Sequence, residues 1–200
     1  MAPHMAQQPI VAILLAAGAG TRFGGGKLLH PLDDGVAIAA HAARNLRAAD
    51  LDVIAVTRPG DFPLADMLEQ EGCHVTQCAD SIRGMGYSLA HGVMLAREAA
   101  GWVVALADMP RVKPASIRRV ADALAEAAIV APVFRERRGH PVGFAGTLRH
   151  ELLALTGDTG ARVILERHPE VIRLIDCDDP GVLLDVDARS DLERFAPDAR

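Results

Sequence analysis

Ile10-Val11-Ala12-Ile13-Leu14-Leu15-Ala16-Ala17-Gly18-Ala19-Gly20-Thr21-Arg22-Phe23-Gly24-Gly25-Gly26-Lys27 carries an apolar run directly into a glycine-rich loop. A short apolar run bounded by glycine reads as a buried strand. Glycines let backbone N–H groups approach an anion closely, and successive N–H groups form an anion-binding concavity. Arg22 and Lys27 add positive charge at the same place. The stretch therefore reads as a phosphate-holding loop. It is neither of two familiar ones. A dinucleotide fingerprint needs G-x-G-x-x-G, and Phe23 stands where the third glycine belongs. A Walker loop ending at Gly26-Lys27 needs Gly at Thr21 and a hydroxyl at Leu28. A flexible linker is disfavoured by the apolar strand before the loop and by its lack of serine.

Outward from this loop, apolar runs alternate with helical patterns. Strands are predicted near Ile10–Leu15, Val53–Thr57, His74–Gln77, Trp102–Ala107, Ile129–Phe134, Val142–Phe144, Val171–Ile175 and Leu183–Val186. Helices are predicted over Ile38–Ala48, Leu64–Glu71, Tyr87–Ala99, Pro114–Ala127, Thr147–Leu155 and Ala161–Glu166. Ser190-Asp191-Leu192-Glu193 has the capping-box pattern and predicts a short last helix. Repeated strand, helix, strand predicts an α/β fold with a mostly parallel sheet and one antiparallel strand in the later part.

Two hundred residues, half of them hydrophobic and a quarter charged, fit one globular domain, taken as residues 9–196. Met1–Gln8 has no secretory pattern and is read as a tail outside the fold, with Met5 an alternative start. A net charge of −5 gives no global basic field, so no nucleic-acid partner is expected. No run approaches the roughly twenty apolar residues that cross a bilayer. Cys73, Cys78 and Cys177 form neither a disulfide framework nor a zinc pattern, and they read as reduced thiols of a cytoplasmic protein.

Several residues can carry chemistry. Asp108-Met109-Pro110 follows the strand Trp102–Ala107, and a carboxylate at a strand's end sits where such sheets bind ligands. Asp185-Val186-Asp187 follows another apolar run, and alternation puts both acids on one side of that strand. Two carboxylates from separate strand ends beside a phosphate loop suit Mg²⁺; the alternative for Asp187 is a solvated loop acid. Gly84 and Gly86 permit close approach of a planar group, and Ser88 either caps a helix or bonds a base edge. His140 lies in a Gly-His-Pro turn, as a catalyst or as a packed residue. Arg162 in a helix's first turn opposes the helix dipole, which invites an anion, or it is a surface residue.

At these residues the chain resembles the nucleotidyltransferases of the molybdopterin-nucleotide and sugar-nucleotide type. The resemblance rests on Leu15-Ala16-Ala17-Gly18, Thr21-Arg22-Phe23-Gly24 with Lys27, Asp108-Met109-Pro110, and Asp185-Val186-Asp187. Gly84-Met85-Gly86 through Ser88-Leu89, Gly139-His140-Pro141, and Gly157-Asp158 with Gly160-Ala161-Arg162 look like the molybdenum cofactor cytidylyltransferases. Ala17 resembles these, where guanylyl-transferring relatives carry glycine. The three-glycine run before Lys27 and Tyr87 depart from the pattern.

The resemblance implies a three-layer, Rossmann-like nucleotidyltransferase fold. It implies transfer of CMP from CTP to the terminal phosphate of molybdopterin, with release of pyrophosphate and delivery to a molybdoenzyme partner. Arg22, Lys27 and Asp108 would be catalytic. Leu15, Ala16, Ala17, Gly18, Gly20, Asp80, Gly86 and Ser88 would bind the nucleotide. His140 and Arg162 would meet the acceptor, and Asp108 and Asp187 would hold Mg²⁺. Two alternatives stand beside it. One is transfer to a sugar phosphate or another phosphorylated alcohol, against which the short second half argues. The other is a non-catalytic protein that binds or inserts the cofactor.

Overall fold

The computed structural model describes residues 9–195, so the tail 1–8 and Ala196 of the expected domain lie outside the described residues. Strands β1 (Ile10–Leu15), β2 (Asp52–Thr57), β3 (His74–Gln77), β4 (Gly101–Leu106), β5 (Ile129–Phe134), β6 (Arg137–Arg138), β7 (Val142–Ala145) and β8 (Ile172–Asp176) form one sheet. Its order is β3-β2-β1-β4-β7-β5-β6, with β8 beside β5. The first four strands are mutually parallel, and β8 runs parallel to β5. The later part holds β7, antiparallel to both β4 and β5, and the two-residue β6, antiparallel to β5. The second antiparallel strand is short because it only closes the turn after Phe134.

Period-two burial sorts the side chains of β1 between two cores. Ala12 and Leu14 join one apolar cluster, and Val11 and Ile13 join the other. Helices α1 (Ile38–Ala48), α2 (Phe62–Gln70) and α4 (Pro114–Ala123) pack on the first face. Their buried stripes, such as Ile38, Ala39, Ala42, Ala43 and Leu46, recur at helical spacing. Helices α3 (Met85–Leu95), α5 (Arg149–Leu153) and α6 (Arg162–Arg167) cover the second face. The result is three layers, helix, sheet, helix. No helix of the described residues is long and apolar enough to cross a membrane.

Two expectations need correction. Leu183–Val186 is not a strand. Residues Pro180–Leu183 make a 3-10 turn, and residues 184–186 join no ladder. Asp179 holds this turn in place, because its buried carboxylate accepts from Gly181 N, Lys113 N and Ser116 Oγ at 2.7–3.0 Å. Nor does Ser190 open an α-helix. Arg189–Phe195 is a 3-10 segment, and the carboxylate of Asp191 instead accepts from the N–H groups of Asp187 and Ala188. Those two bonds hold the Asp191 carboxyl below its ordinary value.

Candidate active site

β1, β2 and β4 are parallel, so their carboxyl ends open at one edge of the sheet, where α/β sheets bind ligands. A cleft of about 680 Å³ lies there. Its floor is Leu15, Ala17 and Gly18 after β1 and Leu106 and Asp108 after β4. The N–H groups of Ala17, Gly18 and Ala19 donate to no protein acceptor among the described residues, which suits an anion cradle.

The glycine-rich loop is pinned by Phe23 and Leu28, both packed in the core. Between them Gly24, Gly25 and Gly26 all take positive φ, at 90°, 90° and 64°, a path that side chains resist. That path turns Lys27 inward. Its side chain is 9% exposed, and its Nζ lies 2.7 Å from Asp108 Oδ2 and 3.8 Å from Asp187 Oδ1. The three-glycine departure therefore does not keep Lys27 from the site. Arg22, 79% exposed, places Nη1 3.0 Å from Asp187 Oδ2.

Asp187 reaches this group without a strand. Val186 is buried, and its N–H donates to the carbonyl of Asp108 at 2.9 Å. One backbone bond thus brings the late acidic motif beside the early one, and Asp185 and Asp187 keep the outward side. Neither acid lines the cleft itself, nor does Arg22; Asp187 joins it through Lys27, and the carbonyl of Asp185 accepts from Arg194.

Asp108 and Asp187 are the carboxylates that could hold a cation. Asp108 Oδ1 is buried and lacks a hydrogen-bond partner, as an oxygen intended for a ligand would be. No cluster of three or more His, Cys, Asp or Glu suited to a metal occurs among the described residues. Two carboxylates completed by water and phosphate is a donor set that fits Mg²⁺.

Other expected residues are placed differently. Ala16 is buried, its N–H bonded to Val56 O. Gly20 lines a small void beside the loop rather than the main cleft. Asp80 is exposed, paired with Arg83 at 3.0 Å, and does not line the cleft, although Ala79, Ser81 and Ile82 do. Ser88 lines the cleft from the first turn of α3 and does not cap that helix. The planar group that Gly84 and Gly86 admit is peptide backbone. A Cβ on Gly84 would lie 2.2 Å from Gly157 C, and one on Gly86 would lie 2.7 Å from Thr156 O.

His140 sits behind the cleft, beside a void of about 10 Å³ also lined by Asn45 and Met109. Burial pushes its imidazole below the ordinary value, against the pull of Asp108 and Asp185. Arg162 is exposed, and the anion that answers it is Glu166, one helical turn on, at 2.7 Å. Neither residue lines the cleft. Tyr87 stacks under Arg83, 4.3 Å from ring centre to guanidinium, and likewise stays out of it.

Among the charged lining residues, Arg58 escapes the sequence reading, and Asp158 enters it only within the Gly157-Asp158 motif, with no role given. Arg58 had a usable signal: a charge immediately after a parallel strand, in Val56-Thr57-Arg58-Pro59.

A glycine-rich loop with unpartnered N–H groups and two acids thus stand together at the open edge of a three-layer sheet. Residues 12–171 match the family model described as the MobA-like NTP transferase domain. The chain belongs to this family of nucleotidyltransferases. It is 29% identical over 195 residues to nicotine blue oxidoreductase of Paenarthrobacter nicotinovorans, covering 93% of this chain and 96% of that protein. The crystal structure of Rv0371c from Mycobacterium tuberculosis H37Rv superposes with a TM-score of 0.81 at 30% identity, covering 96% of this chain and 98% of that one. A manganese complex of Rv0371C gives 0.75 at 29%, covering 94% and 97%.

Proposed function

We propose that the chain moves CMP from CTP to the phosphate of a molybdopterin-type acceptor and releases pyrophosphate, with Mg²⁺ at Asp108 and Asp187. The observation that carries this reading is the convergence of Arg22, Lys27, Asp108 and Asp187 beside the cleft. Arg22 and Lys27 would neutralise triphosphate charge, and the N–H groups after β1 would fix its position. When bound, the divalent ion supplies charge stabilisation to the phosphate oxygens. The attacking group is already an anionic phosphate, so the chain needs no general base. Ala17, at the cleft floor, supports CTP over GTP.

Pyrophosphate release tests the reading, with CTP and GTP each offered molybdopterin or a sugar 1-phosphate. CTP with molybdopterin is expected to be the productive pair. Asp108→Asn should lower turnover at least about 10²-fold, the scale of one removed electrostatic contact in a transition state. A near-normal rate in that variant would overturn the metal assignment.

A second reading, oxidoreduction of an organic compound such as nicotine blue, is favoured by the similarity to nicotine blue oxidoreductase and by one apolar wall of the cleft. Ile82, 93% exposed, and Met85 both line it. Consumption of a reduced nicotinamide dinucleotide in the presence of such a compound, with no pyrophosphate from any triphosphate, would establish this reading instead.

A further inference from the structure

We propose that Arg58 is a separate cation for the terminal phosphates of the nucleotide and makes the site prefer triphosphate to monophosphate; this rests on the nucleotidyl-transfer reading of the cleft. Its place is set by strand register. Leu15 pairs with Val56, and Ala16 N–H donates to Val56 O at 2.9 Å. Two residues on, Arg58 emerges opposite the glycine-rich loop. It lines both the main cleft and the void of about 40 Å³ bounded by Gly18, Gly20, Lys27 and Asp61. It therefore faces the anion cradle from the other wall.

The guanidinium is held and left half free. Asp61 Oδ2 accepts from Nε at 3.1 Å and lies 3.0 Å from Nη2. The Nη1 edge has no protein partner among the described residues. A guanidinium oriented along one edge presents the other to a phosphate with little freedom left to lose. Asp61 gives up an ordinary role to do this. It stands at the N-cap position of α2, where an aspartate normally accepts a backbone N–H, yet it makes no capping bond. The pair is also partly sheltered, with Arg58 43% and Asp61 18% exposed.

Arg58 differs from the other two cations in its partner. Arg22 and Lys27 rest on Asp187 and Asp108, the carboxylates assigned to the metal. Asp61 is no part of that pair, so Arg58 can engage phosphate whether or not a metal is bound. The ligand chemistry is a pyrophosphate unit, which comes either as the tail of a triphosphate or as the released product.

Calorimetric titration separates these sources. The unsubstituted chain, Arg58→Gln and Arg58→Lys are each titrated with CTP or GTP, whichever binds, with its monophosphate, and with pyrophosphate. Arg58→Gln is expected to weaken triphosphate and pyrophosphate about tenfold or more, the scale of a lost charge-assisted bond, and to leave the monophosphate within about twofold. Arg58→Lys should recover part of the loss, and far-ultraviolet circular dichroism should match among the three proteins. Loss for triphosphate with none for pyrophosphate assigns the contact to the bound nucleotide rather than the product. An unchanged triphosphate-to-monophosphate ratio in Arg58→Gln overturns the proposal alone. Failure of the unsubstituted chain to bind any triphosphate overturns the parent reading and the proposal together.

Discussion

Lys27 and Asp108, 81 positions apart in sequence, meet at 2.7 Å, and both were legible in the sequence because each comes after an apolar strand. Arg58 offered only the weaker signal of a charge after a strand, because its meaning depends on which strand lies beside β1. His140 and Arg162, each read from the sequence with two alternatives, lie outside the cleft. His140 is buried and Arg162 pairs with Glu166, which are the packed and surface alternatives that their local sequence left open. His140 carries a prediction. Its imidazole is pushed below the ordinary 6.5, so protons bind the unfolded chain more readily. Its contribution to stability is complete above pH 6.5 and is lost as pH falls toward the folded value. The melting temperature should therefore drop between about pH 7.5 and about pH 5.5, and His140→Phe should flatten that slope. Parallel slopes in the two proteins would show that another group titrates.

At the scale of elements, seven of the eight predicted strands formed, and α1 matched from end to end. The exception, Leu183–Val186, has strand-like composition but joins no ladder. Asp179 and the bond from Val186 N–H to Asp108 O fix it instead, through contacts between distant segments that no local pattern encodes. The contact between the start of α3 and residues 156–158 is of the same kind. Gly84 has a φ of +131°, and no room exists there for a Cβ. Gly84→Ala should cost about 2–4 kcal/mol in urea unfolding, the range of severe single substitutions, and weaken nucleotide binding as the cleft wall shifts. A cost below about 1 kcal/mol would mean that the two segments part easily.

Over the whole molecule, the repeated strand, helix, strand order predicted a mostly parallel sheet and the resemblance implied three layers, whereas the sheet order could not be read. The insertion of β7 between β4 and β5 is a choice of long-range pairing. Because one strand feeds both cores, the layers should unfold together. Ile13 and Leu14 are fully buried on opposite faces. Ile13→Ala and Leu14→Ala should each cost about 2–5 kcal/mol. In both variants the fluorescence of Trp102, the single tryptophan, should report the same midpoint as circular dichroism. A midpoint for Trp102 untouched by Leu14→Ala would separate the two faces. The backbone contact of Gly84 and Gly86 with residues 156–158 has a wider bearing. It fixes the width of the cleft without any side chain, while Ile82, Met85 and Asp158 project from the joined segments into the space. Shape and selectivity are thus carried by different atoms. Exchanging these three side chains should therefore change what the cleft admits while the frame stays as it is.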